Sequence, residues 1–184
     1  MKKGIRILAI DGSAFSRKEG GDSLAVGVVG REGEVEGVIS FRVEVDGDDA
    51  TEKIIKAVEG TRFREQIRLI AVHGITLAGL NFVDIVRISK DLGIPVAGIV
   101  RDRPRARELE KAIRASGTGV ARKLSLFRRI HAGLETVRYG GFYFQCVGIE
   151  KEELRDVSDC AVRLIRLAHL IASGVRAGES KGRM

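Results

Sequence analysis

The chain has 184 residues, 44% of them hydrophobic and 31% charged, with a formal net charge of +7. That length suits one domain with a proper core, the composition is that of a folded globular protein, and no apolar run approaches the ~20 residues needed to cross a bilayer. The positive field favours polyanions, nucleic acid first among them. The only cysteines, Cys146 and Cys160, stand far apart and outside any metal-ligand spacing. They argue against a disulfide framework or a zinc site and fit a reducing, cytoplasmic setting.

Taken in order, Ile5 to Asp11 is a continuous apolar run, which predicts a strand buried on both faces. A Gly- and Ser-rich loop follows, then strands over Ser23 to Gly30 and Val35 to Val45, joined by the turn "REGE". The three predict an antiparallel meander. Asp49 to Glu52 resembles a capping box, and Ile54, Ile55 and Val58 supply the buried face of a helix. "IRLIAVHG" is a fourth strand, and "LNFVDIVRISKDLG" is expected to be a helix closed by Gly93. Ile94 to Val100 is a fifth strand. "RARELEKAIRASG" and "ARKLSLFRRIHAG" are charged helices, "TVRYGGFYFQCVG" a late strand pair, and "EKEELRDVSDCAVRLIRLAHLIASGV" helical in one or two pieces. The expectation is a mixed five-stranded sheet with helices on both faces, one domain over 1–184 with 175–184 as a frayed tail. P-loop, G-x-S-x-G and dinucleotide fingerprints are missing from the sequence.

Acidic residues gather at predicted strand ends. Asp11 ends the first strand, Glu44, Asp46, Asp48 and Asp49 cluster after the third, and Asp84 follows the fourth. Carboxylates brought together there can hold a divalent cation, because Mg²⁺ and Mn²⁺ favour oxygen ligands, and such an ion can activate water against a phosphodiester. Each has a plainer alternative. Asp11 before Gly12 and Asp46 before Gly47 are turn formers, Asp49 is a helix cap, Glu44 is a solvent-facing strand residue, and Asp84 satisfies a local partner.

The segments "LAIDG", "EGVISFRVEVDGDDAT", "IRLIAVHGITLAGLNFVDI", "GIPVAGIVRDRP" and "LIRLAHLIASG" resemble, in order and over nearly the whole chain, an archaeal endonuclease V-like family sometimes called endonuclease dU. The resemblance implies a ribonuclease H-like fold and Mg²⁺- or Mn²⁺-dependent cleavage of a phosphodiester near a deaminated base, uracil or hypoxanthine. It matches the first acid to Asp11. The second falls at Val43, so that Glu44 or Asp46 would substitute, and the third falls at His73. Side-by-side first and fourth strands would make Asp11 and His73 neighbours. The implied metal set is Asp11, Asp46 and His73, with Glu44 or Asp49 assisting through water. An imidazole in that set suits Mn²⁺ better than Mg²⁺, or serves as a general base. The late Gly-His pair of endonuclease V, the wider resemblance, has no counterpart at Gly148-Ile149.

For binding, Arg101, Arg103 and Arg105 follow the fifth strand and suit phosphate. Tyr139, ahead of two glycines, is a candidate wedge, while His131 and His169 are expected to be structural or surface residues. The expected partner is nucleic acid, DNA ahead of RNA. The alternative to a nuclease is a non-catalytic nucleic-acid-binding protein in which His73 marks a lost metal site.

Overall fold

The computed structural model describes residues 4–16, 20–32, 34–117, 119–132 and 134–180. Parts of the first loop (17–19), the "REGE" turn (33) and the tail (181–184) lie outside them.

Strands β1 (Arg6–Gly12), β2 (Asp22–Arg31) and β3 (Glu34–Glu44) form the expected antiparallel meander. Helix α1 (Ala50–Glu59) leads to β4 (Ile67–His73), which pairs with β1 in parallel. A two-stranded hairpin follows, β5 (Thr76–Leu77) with β6 (Asn81–Phe82), then α2 (Ile85–Leu92) and β7 (Val96–Val100), parallel to β4. Helices α3 (Ala106–Ala115) and α4 (Val120–Ala132) precede the hairpin of β8 (Thr136–Tyr139) and β9 (Phe142–Val147). Helix α5 (Lys151–Ala177) is one uninterrupted helix of 27 residues and takes in three residues expected to be tail.

The sheet order is β3-β2-β1-β4-β7-β9-β8, seven strands. The five expected strands are its first five, and the late pair extends the edge beyond β7. The continuous apolar runs of β1 and β4 exist because both faces are covered. On one face Ile7, Ala9, Leu69 and Ala71 pack beneath Ala161, Leu164 and Ala168 of α5. On the other, Leu8, Ile10, Ile70 and Val72 pack against Ile54 and Val58 of α1 and Ile85 and Ile88 of α2. Each isoleucine buried here contributes roughly 1.5–3 kcal/mol. A third cluster joins Phe82 to Ile113, Phe127 and Ile130 of α3 and α4. No described helix is long and apolar enough to cross a membrane.

Two expectations need correction. The helix after β4 begins only at Ile85, because Ala78 (φ 46°) and Gly79 (φ 93°) take left-handed conformations that turn the chain back on itself. Asp84 is that helix's N-cap, its carboxylate accepting from Arg87 N at 3.0 Å and pairing with Arg129 at 2.5 Å. Asp49 stands at the N-cap position of α1 but makes no side-chain cap bond. The buried Asn81 does that work, its Oδ1 accepting from Ala50 N at 2.9 Å.

Candidate functional site

Strand alternation decides which side chains meet. Ile7 and Ala9 face α5, so Asp11 faces it too; Leu69 and Ala71 face α5, and so does His73. The parallel register pairs Ile10 with Val72, so Asp11 and His73 emerge side by side at the carboxyl ends of β1 and β4. Such ends are where open α/β sheets gather their ligands.

Asp11 is 5% exposed. Its Oδ1 accepts from Gly12 N at 2.7 Å. Its Oδ2 lies 3.1 Å from Nδ1 of His73 and 3.0 Å from Nδ1 of His169, which α5 carries across the face. Ser173 Oγ stands 3.5 Å from Nε2 of His169. The Asp11 hydrogen bond, with the carboxylate's charge behind it, raises the His73 pKa above its ordinary value; burial opposes this and is outweighed. A carboxylate holding two imidazoles by Nδ1 fixes their tautomer and orientation, so that each Nε2 can exchange a proton with water or a bound oxygen. The three residues line a recess of about 440 Å³ with Phe15, Thr76 and Gly79.

Asp46 is not brought to Asp11. Its backbone takes φ 54°, its N–H donates to Ala78 O at 2.8 Å, and its Oδ1 accepts from Leu80 N at 2.7 Å. The carboxylate thus clamps the β5–β6 turn, with Gly79 between it and the recess. Asp49 accepts from Glu44 N at 3.1 Å and from Asn81 Nδ2 at 2.7 Å, while Glu44 gives its carbonyl to the same Asn81 nitrogen at 2.9 Å. The Asp46 and Asp49 carboxylates hold loops together, and Glu44 takes part through its backbone.

His169 is the residue that sequence reasoning missed. It sits beside the buried stripe of Leu164, Ile165, Ala168 and Ala172, where a core histidine looks the same as a reactive one. The only signal is a histidine at the edge of an apolar stripe on a late helix.

Arg101, Asp102 and Arg105 line a second cavity that shares His73 with the recess, Arg105 pairing with Glu108 at 3.0 Å, and Arg103 is exposed in the same loop. Tyr139 lies elsewhere. Its hydroxyl donates to Lys151 O at 3.0 Å at the start of α5, about 27 Å along that helix from His169. The basic residues of α4 are occupied within the fold: Arg122 with Asp48, Arg128 with Glu110, Arg129 with Asp84 and Lys123 with the Asp46 carbonyl.

The fit to a metal follows from these donors. One carboxylate and two imidazoles do not make the oxygen-rich octahedron that Mg²⁺ demands. Among the described residues, no three His, Cys, Asp or Glu side chains converge so as to hold a metal ion.

Comparison with known proteins agrees with this frame. The family model described as endonuclease dU matches residues 3–176. A UPF0215 protein of Methanothermobacter thermautotrophicus is 38% identical over 192 residues, covering 99% of this chain and 93% of its own. The crystal structure of a protein of unknown function from Archaeoglobus fulgidus superposes with a TM-score of 0.81 at 35% identity, covering 93% of this chain and 98% of its own. Endonuclease V of Ciona intestinalis, solved with a 24mer DNA containing an inosine followed by a ribo-adenosine, superposes with a TM-score of 0.51 at 9% identity, covering 90% of this chain and 83% of its own. The fold is the ribonuclease H-like fold of endonuclease V.

Proposed function

The chain belongs to the endonuclease dU family, and from that premise we propose that it is an endonuclease cleaving a phosphodiester near a deaminated base. One domain over residues 1–184, acting in the cytoplasm on DNA ahead of RNA, completes the reading. The observation that carries it is the Asp11 carboxylate held between His73 and His169 at the carboxyl ends of the central strands. Family membership supports a nuclease-like function. A solved endonuclease V of the same fold holds DNA, which supports a nucleic-acid partner.

In this reading Asp11 orients both imidazoles. A neutral imidazole takes the proton of the attacking water, and an imidazolium supplies positive charge to the phosphate or a proton to the leaving oxygen. Arg101 and Arg105 hold neighbouring phosphates. The family resemblance implies Mg²⁺ or Mn²⁺; the donors described do not fit Mg²⁺, the imidazoles would suit Mn²⁺ better, and none of the proton transfers above depends on an ion.

The test is cleavage of labelled single- and double-stranded oligonucleotides carrying uracil or hypoxanthine, with EDTA, Mg²⁺ and Mn²⁺ in parallel. Cutting that disappears in Asp11→Asn is the expected result. Binding without cutting under every metal would favour the second reading, a non-catalytic nucleic-acid-binding protein. The observation behind that alternative is that the Asp46 and Asp49 carboxylates are engaged in loop contacts, so that among the described residues Asp11 is the acid that lines the recess.

A further inference from the structure

Helix α3 has two unlike sides. Ile113 is buried, and Ala106 and Leu109 join it against Phe127 and Ile130 of α4. Arg107, Lys111 and Arg114 are exposed. Steps of four and three residues keep these three on a single stripe of the helix. The loop that leads into the helix adds Arg101 and Arg103, both exposed.

The charges of this stripe are unanswered within the fold. The acids of α3 are engaged elsewhere, Glu108 with Arg105 at 3.0 Å and Glu110 with Arg128 at 3.0 Å. On α4, by contrast, Arg122 pairs with Asp48 and Arg129 with Asp84. Among the described residues, no hydrogen bond or ion pair engages the side chains of Arg101, Arg103, Arg107, Lys111 or Arg114. Between Arg101 and Arg114 the one carboxylate in the same state is Asp102. Arg107 and Lys111 stand one turn apart, where like charges destabilise a helix. A polyanion laid along the stripe relieves that repulsion and releases its own counterions.

The spacing suits a phosphate backbone. From Arg107 to Arg114 the helix rises about 10.5 Å, the span of roughly three nucleotides of one duplex strand at about 3.4 Å each. The position suits it as well, since the stripe continues from the Arg101–Arg105 loop, which borders the cavity that His73 shares with the recess. We propose that the outer face of α3 is a track for the phosphate backbone of duplex DNA flanking the cleaved segment. The inference rests on the nuclease reading, which sets one phosphate beside Asp11 and lets the neighbouring backbone run out over α3. Contacts of this kind position the duplex without reading its sequence, so the track adds affinity for plain and lesion-bearing DNA alike.

The experiment measures fluorescence anisotropy with duplexes of about two helical turns, with and without one central uracil, as salt rises from about 50 to 200 mM. EDTA is present so that nothing is cut. In the triple variant Arg107→Gln, Lys111→Gln, Arg114→Gln the slope of log affinity against log salt should shrink by about 2–3, near 0.9 for each lost contact. Affinity at about 50 mM salt should fall at least tenfold, and equally for both duplexes. The control Lys53→Gln, Lys56→Gln, Lys90→Gln removes the same charge from exposed positions of α1 and α2 and should keep the parent's slope. Both variants should melt with the parent, because glutamine is as good a helix former as lysine or arginine. An unchanged slope in the triple variant, or an equal loss in the control, overturns the track and leaves the nuclease reading standing. A triple variant that melts well below the parent also overturns it, because those cations would then have partners within the fold. Failure of the parent to bind either duplex overturns the reading on which the inference rests, and the inference with it.

Discussion

Asp11 and His73 face each other at 3.1 Å across the neighbouring parallel strands β1 and β4. The contact raises the folded-state pKa of His73, so the folded protein holds that proton more tightly than the unfolded chain does. The resulting stability is fully present below the unfolded value of about 6.5 and is lost as pH rises through the folded value. The melting-temperature gap between the parent and His73→Asn should therefore be widest below about pH 6.5 and shrink as pH rises above it. A gap that widened with pH would contradict the pairing.

Replacing His73 by Asp places a second carboxylate beside Asp11. Like charges that close repel unless a cation lies between them. The His73→Asp protein should melt lower than the parent in EDTA and recover on adding Mg²⁺, by the usual linkage of binding to stability. Its cleavage should shift toward Mg²⁺ relative to Mn²⁺ by roughly tenfold. Calorimetry in EDTA and in Mg²⁺ reads the first effect without depending on activity.

His169 reaches the same Asp11 oxygen from α5 at 3.0 Å, with 24% of its side chain exposed. If it moves a proton, His169→Gln should lower the single-turnover cleavage rate by about 100-fold or more while DNA affinity stays within about twofold. Rate and affinity falling together would instead assign His169 to holding the substrate.

Asn81 is fully buried and makes three hydrogen bonds, to Ala50 N, Glu44 O and Asp49 Oδ1. Asn81→Ala leaves a helix start and a carboxylate without their partner and should destabilise by about 3 kcal/mol. For a chain of this size that is roughly 6–12 °C in melting temperature. Asp49→Ala removes fewer contacts and should cause a smaller drop, which thermal melts of the two variants compare directly.

The framework was legible because its signals are local. The apolar runs of β1, β4 and β7 are long enough to mark buried strands, while the placing of Asp11 beside His73 rests on the family resemblance, which sets the first and fourth strands side by side as the parallel β1–β4 pairing does. The β5–β6 hairpin was not legible. "GITLAGLNFVDI" has apolar spacing that also suits a helix, and its fate turns on left-handed Ala78 and Gly79, a choice made with Asp46 from another loop. Asp46 misled for the same reason: an acid after a strand has one spelling whether it faces a ligand or an N–H of its own fold. His169 was hidden because its partner lies 158 residues away.

That separation has a consequence for how the protein comes into being. Asp11 is synthesised before His73, and His169 arrives later still, with α5. Synthesis runs from the amino end, and folding follows it. A nascent chain can assemble the sheet and the Asp11–His73 pair yet lack the imidazole that completes the recess. A chain broken off early, or cut within α5 before His169, is left the same way. Helix α5 thereby makes the full constellation depend on chain that reaches His169.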